Sequence, residues 1–119
     1  MRQFLAYLSF SWLIAAGVLH FVIDVVAPFA RQVRAPGVET TLYYGLHTAY
    51  GLGLVLFGCL GLLVARQAPA MFSQWPGLLL LVLAAASWLV FACVFIPYLP
   101  PRILMGLFAV LVLSMAAAR

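Results

Sequence analysis

The sequence predicts an all-α integral membrane protein, a four-helix bundle in one domain over residues 1–119, and three observations predict it. Of the 119 residues, 68% are hydrophobic and 7% charged, where soluble domains hold roughly 45–50% apolar and about 25% charged residues. The mean hydropathy is +1.22, and six Arg, one Asp, one Glu and no Lys cannot cover a water-facing surface. Four apolar runs, 4–27, 41–65, 77–96 and 101–118, each approach the roughly 20 residues that a helix needs to cross a bilayer. None alternates strictly between apolar and polar residues, and an unclosed strand edge cannot sit in lipid, so all four read as helices.

The first run follows Met1-Arg2-Gln3, a basic lead resembling a signal peptide. It continues past any plausible signal core to Ala27, so it is expected to stay as a helix, closed by Pro28, whose ring removes a backbone donor. The connection from Phe29 to Thr40 is the longest polar stretch and carries Arg31, Arg34 and Glu39. The second run ends at Arg66, and Trp75 in the next loop suits the head-group level. The third opens on Pro76-Gly77 and ends at Pro97-Tyr98-Leu99-Pro100-Pro101, a turn short enough to make helices three and four antiparallel neighbours. Arg102 and Arg119 bracket the last run.

With nearly every residue committed to a span, a soluble catalytic head, a nucleotide fold and a nucleic-acid surface are excluded. The net charge of +4 comes from arginines near helix ends, which suit lipid head groups rather than nucleic acid. Four spans put both termini on one side. Which side stays open, because either orientation divides the arginines three against three and the positive-inside bias vanishes. Cys59 and Cys93 fall towards opposite ends of their helices, so no disulfide between them is expected.

Polar chemistry concentrates at one end. At about 1.5 Å rise per residue, Asp24 lies roughly 6 Å and His20 roughly 12 Å from the Pro28 end, and His47 about 9 Å from the Thr41 end. The antiparallel hairpin therefore brings His20, Asp24 and His47 to similar depth, with Tyr43 and Tyr44 at the mouth of the pocket and Tyr98 approaching from the third loop. His20 and Asp24, four apart, share a helix face. His47, Gly51, Leu54, Gly58 and Gly61 form a second face of mostly small residues, which reads as a helix-packing surface where another helix or a flat ligand can come close. An ionisable group in a span costs about 2.5–3.5 kcal/mol on insertion scales and usually faces the bundle interior, which makes Asp24 the most informative residue in the chain. The bland alternatives are a neutralised His20–Asp24 pair, a His47 that glues helices by hydrogen bonding, and tyrosines that anchor at the interface.

Several functions compete for these residues. A non-enzymatic accessory or ligand-binding subunit, partnered with a larger membrane protein or a second copy of itself, asks least of the sequence. A redox protein would use His20 and His47 as ligands to haem b or as hydrogen-bond partners of a quinone, with Asp24 orienting an imidazole. Haem requires helices one and two to stand further apart than the roughly 8–10 Å of ordinary packing. No other metal site is expected, the supply being two histidines and one carboxylate. Proton-linked or small-solute transport would use Asp24 and His20 as a relay, but none continues into the Arg66 half. No nucleophile–base pair with an oxyanion site is visible, which argues against an enzyme.

The run Gly17-Val18-Leu19-His20-Phe21 with Asp24, together with Tyr44-Gly45-Leu46-His47 leading into the glycine-rich stretch to Gly61, resembles the small bacterial four-helix membrane proteins grouped as DoxX-like. The resemblance covers nearly the whole chain. It implies a four-span bundle and, since some members are named as subunits of quinone-linked or redox membrane complexes, it favours the accessory and redox readings over transport. It carries no catalytic residue to this chain. An Arg-only, Ala/Leu-rich composition points to a bacterial inner membrane.

Overall fold

A computed structural model describes residues 1–118 and contains four helices long and apolar enough to cross a membrane: α1 (Arg2–Ala30), α2 (Val38–Gln67), α3 (Trp75–Phe95) and α4 (Leu99–Ala117). Arg119, expected beyond the last helix, lies outside the described residues.

The first helix does not stop at Pro28. It is α-helical over Arg2–Phe21, widens into a π-turn over Val22–Val26 and resumes over Ala27–Ala30. The Ala27 N–H bonds to the Val22 carbonyl five residues back. That wider turn relieves the clash a proline ring makes with the carbonyl four residues earlier, here that of Asp24. The helix ends instead where Gln32 takes a left-handed φ of 50° and the Val33 N–H reaches back to the Pro28 carbonyl at 3.1 Å.

The second helix starts three residues before the predicted Thr41. Thr41 Oγ1 donates to the Gly37 carbonyl at 3.1 Å and Thr40 Oγ1 to the Ala35 carbonyl at 2.7 Å, which ties the polar first turn down. Glu39 in that turn and Arg66 in the last suit the helix dipole. A short 3₁₀ turn, Pro69–Ser73, tucks Phe72 beneath Phe10, ring centroids 5.6 Å apart. The turn before α4 is shorter than predicted. Pro100 and Pro101 belong to the first helical turn, where a missing N–H costs nothing, leaving only Ile96, Pro97 and Tyr98 between helices.

Side-chain size sets the spacing. α1 packs most extensively on α2, and α4 on α1 and α3. A Cβ on Gly17 would lie 2.7 Å from the Gly51 carbonyl oxygen, and one on Gly58 2.9 Å from the Phe10 carbonyl oxygen. Glycine at these positions lets two backbones touch. α2 and α3 meet instead through large rings, Tyr50 against Trp88 and Phe91 at 5.3 Å each, and this leaves an open seam between them. Phe10, Leu13, Leu54, Met105, Phe108 and Val112 fill the interior. Arg2 donates to the Ala118 carbonyl, so the two chain ends meet at one end of the bundle. Leucines such as Leu46, Leu52, Leu56, Leu60 and Leu63 stay exposed along α2, as suits a surface solvated by lipid rather than water.

Candidate functional site

At the end of the bundle opposite the termini, the end of α1 around the π-turn, the third turn of α2 and the α3–α4 turn converge. The Tyr98 hydroxyl donates to Asp24 Oδ1 at 2.6 Å. Asp24 Oδ2 lies 3.0 Å from His20 Nδ1, and His20 Nε2 shares a hydrogen bond of 3.0 Å with His47 Nδ1. Tyr98, Asp24, His20 and His47 thus line up as one polar chain across two helices and the α3–α4 turn. The His20 side chain is 2% exposed and that of Asp24 13%. The Nδ1–Oδ2 contact has the distance of a hydrogen bond but not its direction, so His20 Nδ1 is buried without a proper partner.

Aromatic rings hold the chain in place. The imidazoles of His20 and His47 stack at 5.0 Å, Tyr50 meets His20 edge-on at 4.7 Å, and Tyr43 lies 4.2 Å from His47. Arg34 places its guanidinium 3.6 Å over the Tyr43 ring, a cation–π contact beside the cluster. Burial pushes the Tyr98 hydroxyl above the ordinary tyrosine range and its hydrogen bond to Asp24 adds to the shift, so it remains a donor at neutral pH.

The cluster stands between two grooves. One, of about 280 Å³ in the α2–α3 seam, is lined by Leu46, His47, Tyr50, Phe91, Phe95 and Ile96. The other, of about 220 Å³ between α1 and α4, is lined by His20, Ile23, Asp24, Tyr98 and neighbouring apolar residues. The Tyr50 hydroxyl is buried and has no hydrogen-bond partner among the described residues. An unpaired buried hydroxyl costs about 1–3 kcal/mol, and here it belongs to a residue of the groove wall.

Of the sequence-predicted site residues, His20, Asp24, His47 and Tyr43 come together. Tyr44 does not touch the cluster, packing instead on Phe29 at 5.8 Å and on Tyr43 at 5.5 Å. Gly51, Gly58 and Gly61 are buried against Gly17, Ile14 and Phe10 of α1, so a helix packs along that face. The helices flanking the histidines are close neighbours and the imidazoles touch, so no porphyrin fits between them as the haem reading requires. Sequence reasoning missed Tyr50, Phe91 and Phe95 as groove walls and treated Tyr98 as an anchor. Its one available signal was the short third turn, which fixes Tyr98 at the depth of Asp24. Arg102 is also reassigned: it caps α3 by donating to the Ile96 carbonyl at 3.0 Å and the Cys93 carbonyl at 3.3 Å. Cys59 and Cys93 are unpaired and exposed.

No protein-family model matches the chain, and no curated protein or solved structure is detectably similar to it.

Proposed function

We propose that the chain is a small membrane-embedded binding subunit that holds a lipid-soluble ring compound of the quinone class in the α2–α3 seam and does no catalysis of its own. The observation that carries this reading is the wall of that groove: apolar and aromatic for most of its area, with His47 and Tyr50, whose buried hydroxyl has no partner among the described residues, as its polar residues. Such a mix of apolar lining and a few polar contacts is what binds a flat apolar ring bearing carbonyl or hydroxyl groups. His47 spends Nδ1 on His20, which leaves Nε2 for a ligand. Behind it the polar chain admits two arrangements. With His20 neutral and its proton on Nδ1, beside Asp24, its Nε2 accepts from His47 Nδ1–H and His47 Nε2 is an acceptor for a quinol hydroxyl. With His20 protonated, its Nε2–H donates to His47 Nδ1 and the Nε2–H of His47 faces a quinone carbonyl. The same site therefore suits both redox forms of the ligand. The exposed leucines of α2 favour a lipid route into the groove, and the DoxX-like motifs around His20 and His47 fit an accessory role beside a larger protein of a bacterial inner membrane.

The test is quenching of tryptophan emission by a short-chain benzoquinone in mild detergent, with Trp88 adjoining Tyr50 as the reporter. Saturable quenching is expected, with half-saturation raised about 3–10-fold in Tyr50→Phe and in His47→Ala, the worth of one hydrogen bond. Quenching that rises linearly without saturation, or that ignores both substitutions, overturns the reading.

A further inference from the structure

We infer that His20, Asp24 and His47 form a binding site for a divalent first-row transition ion, with Zn²⁺ or Fe²⁺ held by two imidazoles and one carboxylate and further coordination positions left open. One donor atom from each residue lies within 4.8 Å of the other two. A contraction of under about 1 Å brings all three to the roughly 2.0–2.2 Å of metal–nitrogen and metal–oxygen bonds. His20 Nδ1 and Asp24 Oδ2, at 3.0 Å, already have the separation of adjacent ligands on one ion, about 2.9–3.4 Å for bonds of that length.

A second observation points the same way. His20 is 3% exposed, and its Nδ1 is buried without a hydrogen-bond partner although Asp24 Oδ2 is 3.0 Å away. Two polar atoms so close, buried and not aligned for a hydrogen bond, are better satisfied by a cation between or beside them than by each other. Two histidines and a carboxylate, too few for the closed four-ligand sites of structural zinc, suffice for an open one. A three-ligand set with open positions is the arrangement in which zinc and non-haem iron meet exogenous molecules. The remaining contacts supply what such a site needs around it. Tyr98 holds the far carboxylate oxygen of Asp24, and Tyr43 with Arg34 covers His47 from the loop side. An outer layer of this kind fixes ligand orientation. The cysteines take no part, being exposed elsewhere on the surface.

This inference shares His47 with the α2–α3 seam but does not rest on ligand binding there, and it uses a different probe. The full chain, purified in detergent with its affinity tag removed and stripped with EDTA, is titrated with Co²⁺ alone and followed by visible d–d absorption. A single Co²⁺ per chain, displaced by Zn²⁺, is expected. Affinity should fall about 10–100-fold or more in Asp24→Asn and in His47→Gln, and by a similar or smaller factor in Tyr98→Phe, while the Cys59→Ser/Cys93→Ser double variant binds as the wild type does. His47→Gln keeps a hydrogen-bonding side chain, and circular dichroism on each variant confirms that the helices persist. Absence of d–d bands in the wild type, binding that ignores Asp24→Asn and His47→Gln, or loss of binding in the cysteine variant overturns the site. Quinone quenching measured on the metal-free protein reports separately on the groove.

Discussion

Tyr98 shows how a residue that looks like an interface anchor becomes part of a polar site. Its hydroxyl completes the hydrogen bonding of the one carboxylate placed in a predicted span, and a hydrogen bond to such a group contributes about 1.5–3 kcal/mol. Tyr98→Phe is therefore expected to lower stability by about 1.5 kcal/mol, read as the denaturation midpoint in mixed micelles. The pH dependence has a defined sign. The folded-state pKa is raised by burial first and by the Asp24 bond second, so the contribution is complete below the ordinary tyrosine value near 10 and is lost as pH rises above it. The gap between wild type and Tyr98→Phe should stay constant from neutral pH to about pH 9 and narrow beyond pH 10. A gap independent of pH up to the alkaline limit would show that packing and not the hydroxyl carries the effect. At the same scale, His47→Ala and Asp24→Asn should change ligand binding while leaving membrane insertion intact, which flotation of reconstituted vesicles checks.

Between elements, the decisive quantity is how closely helix axes approach. Gly17 and Gly51 set the α1–α2 distance, and that distance brings His20 within hydrogen-bond reach of His47. Gly17→Val is expected to cost about 1–3 kcal/mol from overpacking, because its Cβ would meet the Gly51 carbonyl oxygen at 2.7 Å and the Leu54 and Val55 side chains at 2.9 Å. It should also abolish Co²⁺ binding by parting the imidazoles. Gly106→Ala is the control: nothing lies within 4 Å of the added methyl, and a helical glycine replaced by alanine gains roughly 0.5–1 kcal/mol. Equal effects of the two substitutions on midpoint or metal binding would contradict this account of the spacing. The π-turn over Val22–Val26 matters for a related reason. It lets α1 pass through Pro28, and it carries Asp24, the residue that joins the α1–α4 groove to the histidines.

Across the whole molecule, the helices differ in length in a way that locates the site. At about 1.5 Å per residue, α3 and α4 span roughly 29–32 Å, a match to the hydrocarbon core, whereas α1 and α2 span roughly 43–45 Å. The chain ends are level, tied by Arg2 and Ala118, so the excess length projects at the opposite end as an α1–α2 hairpin bearing Arg31 and Arg34. In a bilayer matched to α3 and α4, Tyr98 and Asp24 are therefore expected near the edge of the apolar slab, beneath that hairpin. Single cysteines introduced on a Cys59→Ser/Cys93→Ser background test this placement in vesicles. Position 34 should react readily with a membrane-impermeant maleimide, position 98 slowly and position 52, an exposed site midway along α2, not at all. Fast labelling at position 52 would remove the α2 surface from the lipid.

The sequence by itself determined the helical class, the number of helices long and apolar enough to cross a membrane and the shared depth of His20, Asp24 and His47 in the bundle, because apolar run length and helix rise are local quantities that neighbours hardly alter. It misjudged Pro28, Pro100 and Pro101, where the outcome turned on a π-turn and on the first turn of a helix, arrangements that residue identity alone does not select. Only the tertiary structure decided that glycine packing presses the imidazoles together, that Tyr98 reaches Asp24, that Tyr44 stays outside, and that Tyr50 and two phenylalanines wall a groove. These depend on which helices are neighbours and on their rotation about their own axes, set by the fit of side chains from separate elements and not by the order of residues within any one of them.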